Sequence, residues 1–138
     1  MKKISSCELL NYIYKVTNII VIRIDSVKNI TDNTKLNELL DSQRKEYLLI
    51  IRDTKDLLRK CKGIKENISL IDKISNRLIN KNNFYRILVE DMEKIVGEID
   101  KKLKVYDFSE DSVEVITSEL KKTIKKNIKE IDIFLQKK

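Results

Sequence analysis

Few side chains in this 138-residue sequence could carry chemistry, because it contains no histidine and only two cysteines, Cys7 and Cys61. Histidine is the usual general base near neutral pH and a frequent metal ligand, so its absence removes the commonest acid–base and metal chemistry. A cysteine nucleophile needs a neighbouring base, and neither cysteine has an obvious one beside it. We therefore expect a protein that is not an enzyme and that holds no cofactor and no metal.

Acidic residues cluster at two places, at Glu90, Asp91 and Glu93 and at Glu110 and Asp111. Paired carboxylates can hydrolyse glycosides, but acidic residues also occupy solvated helix faces and the first turns of helices, where they complement the helix dipole. We favour this second interpretation. The chain has only two glycines and no glycine-rich loop that could hold a phosphate group.

The two cysteines leave two interpretations open. We favour reduced, partly buried thiols, because an intracellular, cytoplasmic protein is the expectation for a chain with no apolar signal segment after Lys2 and Lys3. No run of about 18 apolar residues predicts a membrane span either. A disulfide is the alternative, since the helices described below bring Cys7 and Cys61 to the same end of a hairpin.

Lysines form the candidate binding surface. The net charge is +7. In the predicted last helix, five lysines with the spacing i, i+1, i+4, i+5 and i+8 form a basic strip. Such a strip suits phosphates or acidic side chains. It lacks interleaved aromatic residues, and lysines are spread along the whole chain, so a solvated lysine face is the plainer interpretation. The strip consists of Lys121, Lys122, Lys125, Lys126 and Lys129.

The segment from Leu36 to Cys61 organises the fold, because its apolar residues recur at intervals of three and four and predict one long amphipathic helix. A first helix should begin at the capping box formed by Ser5 and Glu8 and run to about Asn29. The polar residues 31–34 then predict a tight turn, so the two helices should form an antiparallel hairpin.

The second half of the chain predicts another helical pair. We prefer a short connecting helix over 67–80 and a third helix over 83–105, with one continuous helix over 67–105 as the alternative. Ser109 is the expected N-cap of the last helix. The chain lacks proline, which favours long helices. The expected fold is a single all-α domain over 1–138, an antiparallel four-helix bundle with a short extra helix between its hairpins.

Polar residues interrupt the apolar stripe of the second helix at Gln43 and Thr54, with Tyr47 between them. A buried polar group needs a hydrogen-bond partner, so these three residues form a candidate polar cluster in the core. One interpretation is that the cluster fixes the register of the bundle, and we favour it. The other is a small-ligand pocket at the bundle centre.

Several segments resemble ferritin-like four-helix bundles, and most closely a branch of that superfamily whose function is unknown. The resemblance implies a site for two metals, with a Glu-x-x-His pair on one helix of each hairpin and a carboxylate on the other. Arg44 and Tyr47 stand where the second helix would carry that pair, and Glu93 is the nearest acid on the third helix. The resemblance therefore implies a member without its metal site. The segments are Leu10-Asn11, Thr34-Lys35-Leu36, Arg44-Lys45-Glu46-Tyr47 and Asp107-Phe108-Ser109-Glu110.

Together these observations predict a non-enzymatic helical bundle that acts through protein–protein contacts or as a structural module. The alternative is a basic helical module that binds nucleic acid or another anionic surface through the lysines of the last helix. The sequence leaves the identity of a protein partner, and the formation of a homo-oligomer, open.

Overall fold

The computed structural model describes residues 3–61 and 83–136. Within these residues the chain forms four α-helices and no β-strand, apart from an isolated bridge between Ile4 and Tyr106. The predicted all-α class and four-helix bundle are confirmed. The connecting helix predicted over 67–80 lies outside the described residues. The helices are α1, Ser6–Ile30; α2, Thr34–Leu58; α3, Phe84–Lys104; and α4, Asp111–Gln136.

Helices α1 and α2 form the predicted antiparallel hairpin. Near its turn, the Arg44 guanidinium lies 2.8 Å from the Asp25 carboxylate, and Lys28 pairs with Asp41. At the open end, Cys7 and Cys61 form a disulfide. Pairs at both ends of the hairpin show that the two helices stay in contact along their length.

The other two helices complete the bundle in an up–down–down–up order. Helix α3 runs antiparallel to α1, because Asp91 in its first half pairs with Arg23, whereas Lys102 near its end lies over the Tyr12 ring. Helix α4 runs antiparallel to α2 and α3. Helix α2 therefore ends, and α3 begins, at opposite ends of the bundle.

Capping groups set where the helices begin. The Ser5 side chain accepts a hydrogen bond from the Glu8 N–H, as the capping box predicts, and Asn33 accepts one from the Leu36 N–H. The prediction of Ser109 as the N-cap of α4 is wrong. Phe108 adopts a left-handed backbone (φ 54°), α4 begins two residues after Ser109, and the Ser109 hydroxyl lies 2.9 Å from that of Ser6.

The hydrophobic core lies between all four helices, and α1 contributes more buried apolar side chains to it than any other helix. Side chains around almost the whole circumference of α1 are buried, which matches its long β-branched and apolar run. The helix contacts α2, α3 and α4. Leu40 and Tyr47 of α2 are fully buried, so the face predicted to point inward does so.

Replacing Leu40 with alanine should lower the free energy of unfolding by about 2–5 kcal/mol, because the substitution removes buried apolar contacts and leaves a cavity. The exposed Lys125→Ala variant is the control and should change it by less than about 0.5 kcal/mol. Denaturant unfolding at unchanged slope measures both values. A Leu40→Ala protein that unfolds like wild type would contradict the assigned core.

Candidate functional site

The five lysines of the predicted basic strip do not form one free surface. Lys121 turns toward α3, where its ammonium lies 2.5 Å from the Asp100 carboxylate, and Lys126 turns toward α2 and pairs with Glu46. The hydrogen bond from Lys126 to Glu46 raises the pKa of the ammonium, so this lysine stays charged. Lys122, Lys125 and Lys129 are exposed and have no ion pair among the described residues.

Charge along α4 is divided between its two halves. The helix carries five acidic residues and five lysines, so its net charge is zero. Three of the acids precede the first lysine. The described residues as a whole carry 21 lysines and arginines against 20 aspartates and glutamates, a net charge of +1. The remaining +6 of the chain's +7 therefore belongs to residues 1–2, 62–82 and 137–138, and the strip is not the source of the net charge.

Two large apolar side chains mark the solvent-facing centre of α4. Val115 is 63% exposed and Ile133 is 50% exposed. They are 18 residues apart, which at about 3.6 residues per turn places them on the same line of the helix, five turns from each other. Between them on that line lie Glu119, Lys122, Lys126 and Lys129. We call these six residues the outer face of α4.

Shallow surface depressions border the acidic half of this face. One lies between α2 and α4 and is lined by Asp53, Asp56 and Leu57 on one side and by Val115 and Glu119 on the other. A second follows α4 itself, along Asp111, Glu114, Ser118 and Lys122. These depressions leave Val115 accessible on both sides, as a docking side chain must be.

The predicted polar core cluster is only partly assembled. Gln43 and Tyr47 face α4, where the Gln43 amide donates hydrogen bonds to the Asn127 carbonyl (3.1 Å) and the Glu130 carboxylate (3.2 Å). Thr54 is buried but separate, because its hydroxyl donates to the Ile50 carbonyl of its own helix. Asn127, another fully buried polar residue, was missed because an isolated asparagine between lysines looks solvent-exposed in sequence.

This cluster can form hydrogen bonds but has no evident catalytic chemistry. Burial raises the pKa of the Tyr47 phenol well above its usual value, although the neighbouring Asn127 side chain opposes the shift. Tyr47 therefore remains protonated at neutral pH. The arrangement ties α2 to α4 in one register, which agrees with the structural interpretation of the polar residues.

An ion pair in the interior joins α1 to α3. Arg23 Nε lies 3.0 Å from Asp91 Oδ2, and both side chains are 5% exposed. From the sequence, Asp91 was placed on a solvated helix face and no role was assigned to Arg23. The available signal was the position of Arg23 among Ile19, Ile20 and Ile24, on a helix that is apolar almost all round.

The favoured interpretation of Cys7 and Cys61 as reduced thiols is wrong in this structure, which joins them in a disulfide. The hairpin geometry brought the two residues together as predicted. Their Cα atoms are 5.8 Å apart, within the range that a disulfide spans. The bond closes the open end of the α1–α2 hairpin.

Carboxylates are dispersed in the described part of the chain, where no group of three or more His, Cys, Asp or Glu side chains could hold a metal ion. At the two positions where the resemblance drawn from sequence implied a metal-binding pair, Arg44 pairs with Asp25 and Tyr47 is buried. Glu93 is exposed beside Lys125. Within residues 3–61 and 83–136, no helix is long and apolar enough to cross a membrane.

The fold places the chain in the class of all-α four-helix bundles. No protein-family model, curated protein or solved structure matches it.

Proposed function

We propose that this protein is a non-enzymatic helical bundle that acts through protein–protein contact, and that the outer face of α4 is its contact surface. The observation that carries the proposal is the alignment of Val115 and Ile133, two large exposed apolar side chains on one line of one helix. Exposed apolar side chains on one line of a helix can serve as anchors when the helix packs against another protein element.

The alternative is a basic module that binds nucleic acid through Lys121, Lys122, Lys125, Lys126 and Lys129. Two of these lysines already pair with Asp100 and Glu46, and the remaining three share their helix with five acids. Phosphate binding needs a field that is positive along the contact. The charge distribution of α4 therefore supports a protein partner over a nucleic acid.

A ferritin-like origin without a metal site belongs to the same proposal. The up–down–down–up order, in which α2 ends at the opposite end of the bundle from the start of α3, is compatible with the single long crossover of ferritin-like bundles. The residue types at Arg44 and Tyr47 also support the loss of metal ligands.

A photo-crosslinking amino acid at position 115 tests the contact surface in the cells that make the protein. We expect discrete protein adducts from position 115 and none from position 94, an exposed residue of α3 that serves as the control. Equal adducts from the two positions, or none from position 115, would contradict the proposal.

The alternative makes a different prediction in a second arm of the same experiment. The purified protein is titrated onto a DNA duplex at 50 and 200 mM salt, with the Lys122→Glu, Lys125→Glu, Lys129→Glu triple variant as control. Under our proposal, the triple variant changes DNA affinity less than about twofold. Submicromolar binding that falls steeply with salt and disappears in the triple variant would establish the alternative instead.

A further inference from the structure

We infer that the partner of the outer face of α4 is a second copy of this chain, packed antiparallel across a two-fold axis. The inference rests on the proposed contact surface and names its occupant. A two-fold interface must be self-complementary, because the same surface meets itself in reverse order. The outer face of α4 meets this condition in both its apolar and its charged residues.

The apolar residues fix the register of the pairing. Val115 and Ile133 are equally distant in sequence from Ile124, so an antiparallel pair centred at that level places each Val115 on Ile133 of the other copy. Both side chains are exposed in the single chain, at 63% and 50%. The pairing would form two Val115–Ile133 contacts, placed symmetrically about the axis and about 27 Å apart along the helix.

The same register also opposes charges of unlike sign. Glu119 and Lys129 are each five residues from position 124, on opposite sides, so each Glu119 would face Lys129 of the second copy. Neither side chain has an ion-pair partner among the described residues. Exposed unlike charges that meet across an interface steer association and fix its register.

The centre of the pairing is the less favourable part, because Lys122 would face Lys126 of the second copy. The Glu46 carboxylate, 2.5 Å from the Lys126 ammonium, already neutralises one member of each such pair. This arrangement limits the repulsion to the one remaining charge. The axis therefore lies between two lysine–glutamate–lysine groups rather than among four free lysines.

The size of the contact predicts a weak dimer. One face of one helix buries on the order of 1,000 Å² in total, at the lower end of specific protein interfaces. Interfaces of this size are typical of weak, transient complexes, so we expect a dissociation constant on the order of tens of micromolar or more. The dimer should accordingly appear at tens to hundreds of micromolar protein and dissociate on dilution.

Sedimentation equilibrium of the full chain at 50 mM salt, with a charge-reversal series, tests the pairing. Glu119→Lys and Lys129→Glu should each weaken dimerisation by at least about tenfold, because each places two pairs of like charges across the axis. The Glu119→Lys, Lys129→Glu double variant should regain wild-type affinity within about threefold, since the opposed charges are then exchanged. Circular dichroism melts of the variants verify the fold.

Two results would overturn the inference. One is a wild-type chain that stays monomeric up to about 500 µM. The other is a dimer that resists both single substitutions, and also Val115→Ser with Ile133→Ser, because it must then use another surface. The proposed function is judged separately: adducts of a different protein from a crosslinker at position 115, together with a monomeric chain, would retain the contact surface and exclude the second copy.

Discussion

The Asp91→Ala variant is expected to lose about 3–5 kcal/mol of unfolding free energy, the range measured when one member of a buried ion pair is removed. Arg23 and Asp91 are both 5% exposed, and their charged groups approach to 3.0 Å. Truncating Asp91 takes this carboxylate from a guanidinium that remains buried between α1 and α3. The loss should exceed that of any exposed ion pair of the chain.

Two variants separate the ion pair from simple loss of side-chain volume. Arg86→Ala removes half of the exposed Arg86–Glu90 pair on the same helix and should cost less than about 0.5 kcal/mol. Arg23→Met combined with Asp91→Leu removes both charges and should cost less than Asp91→Ala alone. Urea unfolding measures all three. An Asp91→Ala protein within 0.5 kcal/mol of wild type would show that the pair is not held in the interior.

Loss of the Cys7–Cys61 disulfide should be the second large effect, about 4 kcal/mol in the chain-entropy account of cross-links. The two cysteines are 54 residues apart, so the bond closes a long loop and restricts the unfolded chain strongly. We expect the unfolding midpoint to fall in reductant. The Cys7→Ser, Cys61→Ser double variant should have the lower midpoint already and should not respond to reductant.

Thiol labelling reports the same bond in the cell and bears on location. Protein denatured without reductant should take up no alkylating label, and reduction should release two reactive thiols. Structural disulfides persist in oxidising compartments, so this result would favour such a compartment over the cytoplasm expected from sequence. The opposite result is that both cysteines of protein from freshly opened cells take up label without reductant, and that reductant leaves the unfolding midpoint unchanged. That result would restore the interpretation as reduced cysteines.

The sequence predicted those parts of the fold that follow from local periodicity and capping. Three- and four-residue spacing identified the buried face of α2, including Leu40, and the Ser5 capping box located the start of α1. The start of α4 was placed one residue early, because the left-handed backbone of Phe108 and the 2.8 Å contact between the Tyr106 and Ser6 hydroxyls depend on how this turn packs against α1. Local pattern carries no information about them.

Features of the candidate site that join distant parts of the chain were harder to predict. The periodicity of α4 indicated a lysine strip, but Lys121 and Lys126 find acids on α3 and α2, about 20 and 80 residues away in sequence. The sequence pattern predicts Asp91 as a surface residue, because its burial depends on the packing of α1 against α3. The interpretation of the cysteines as reduced thiols failed for a different reason. It rested on an expected reducing cytoplasm, although the hairpin geometry already brought Cys7 and Cys61 together.

The large buried apolar surface of α1 has a consequence for synthesis on the ribosome. This helix is made before the other three, yet part of its cover comes from segments made about 100 residues later, as the contacts of Ser6 with Tyr106 and Ser109 illustrate. At translation rates of about 5–20 residues per second, its apolar surface remains incompletely covered for roughly 5–20 s. The nascent chain therefore presents a binding site for chaperones during that interval, and slower translation of the last two helices lengthens it.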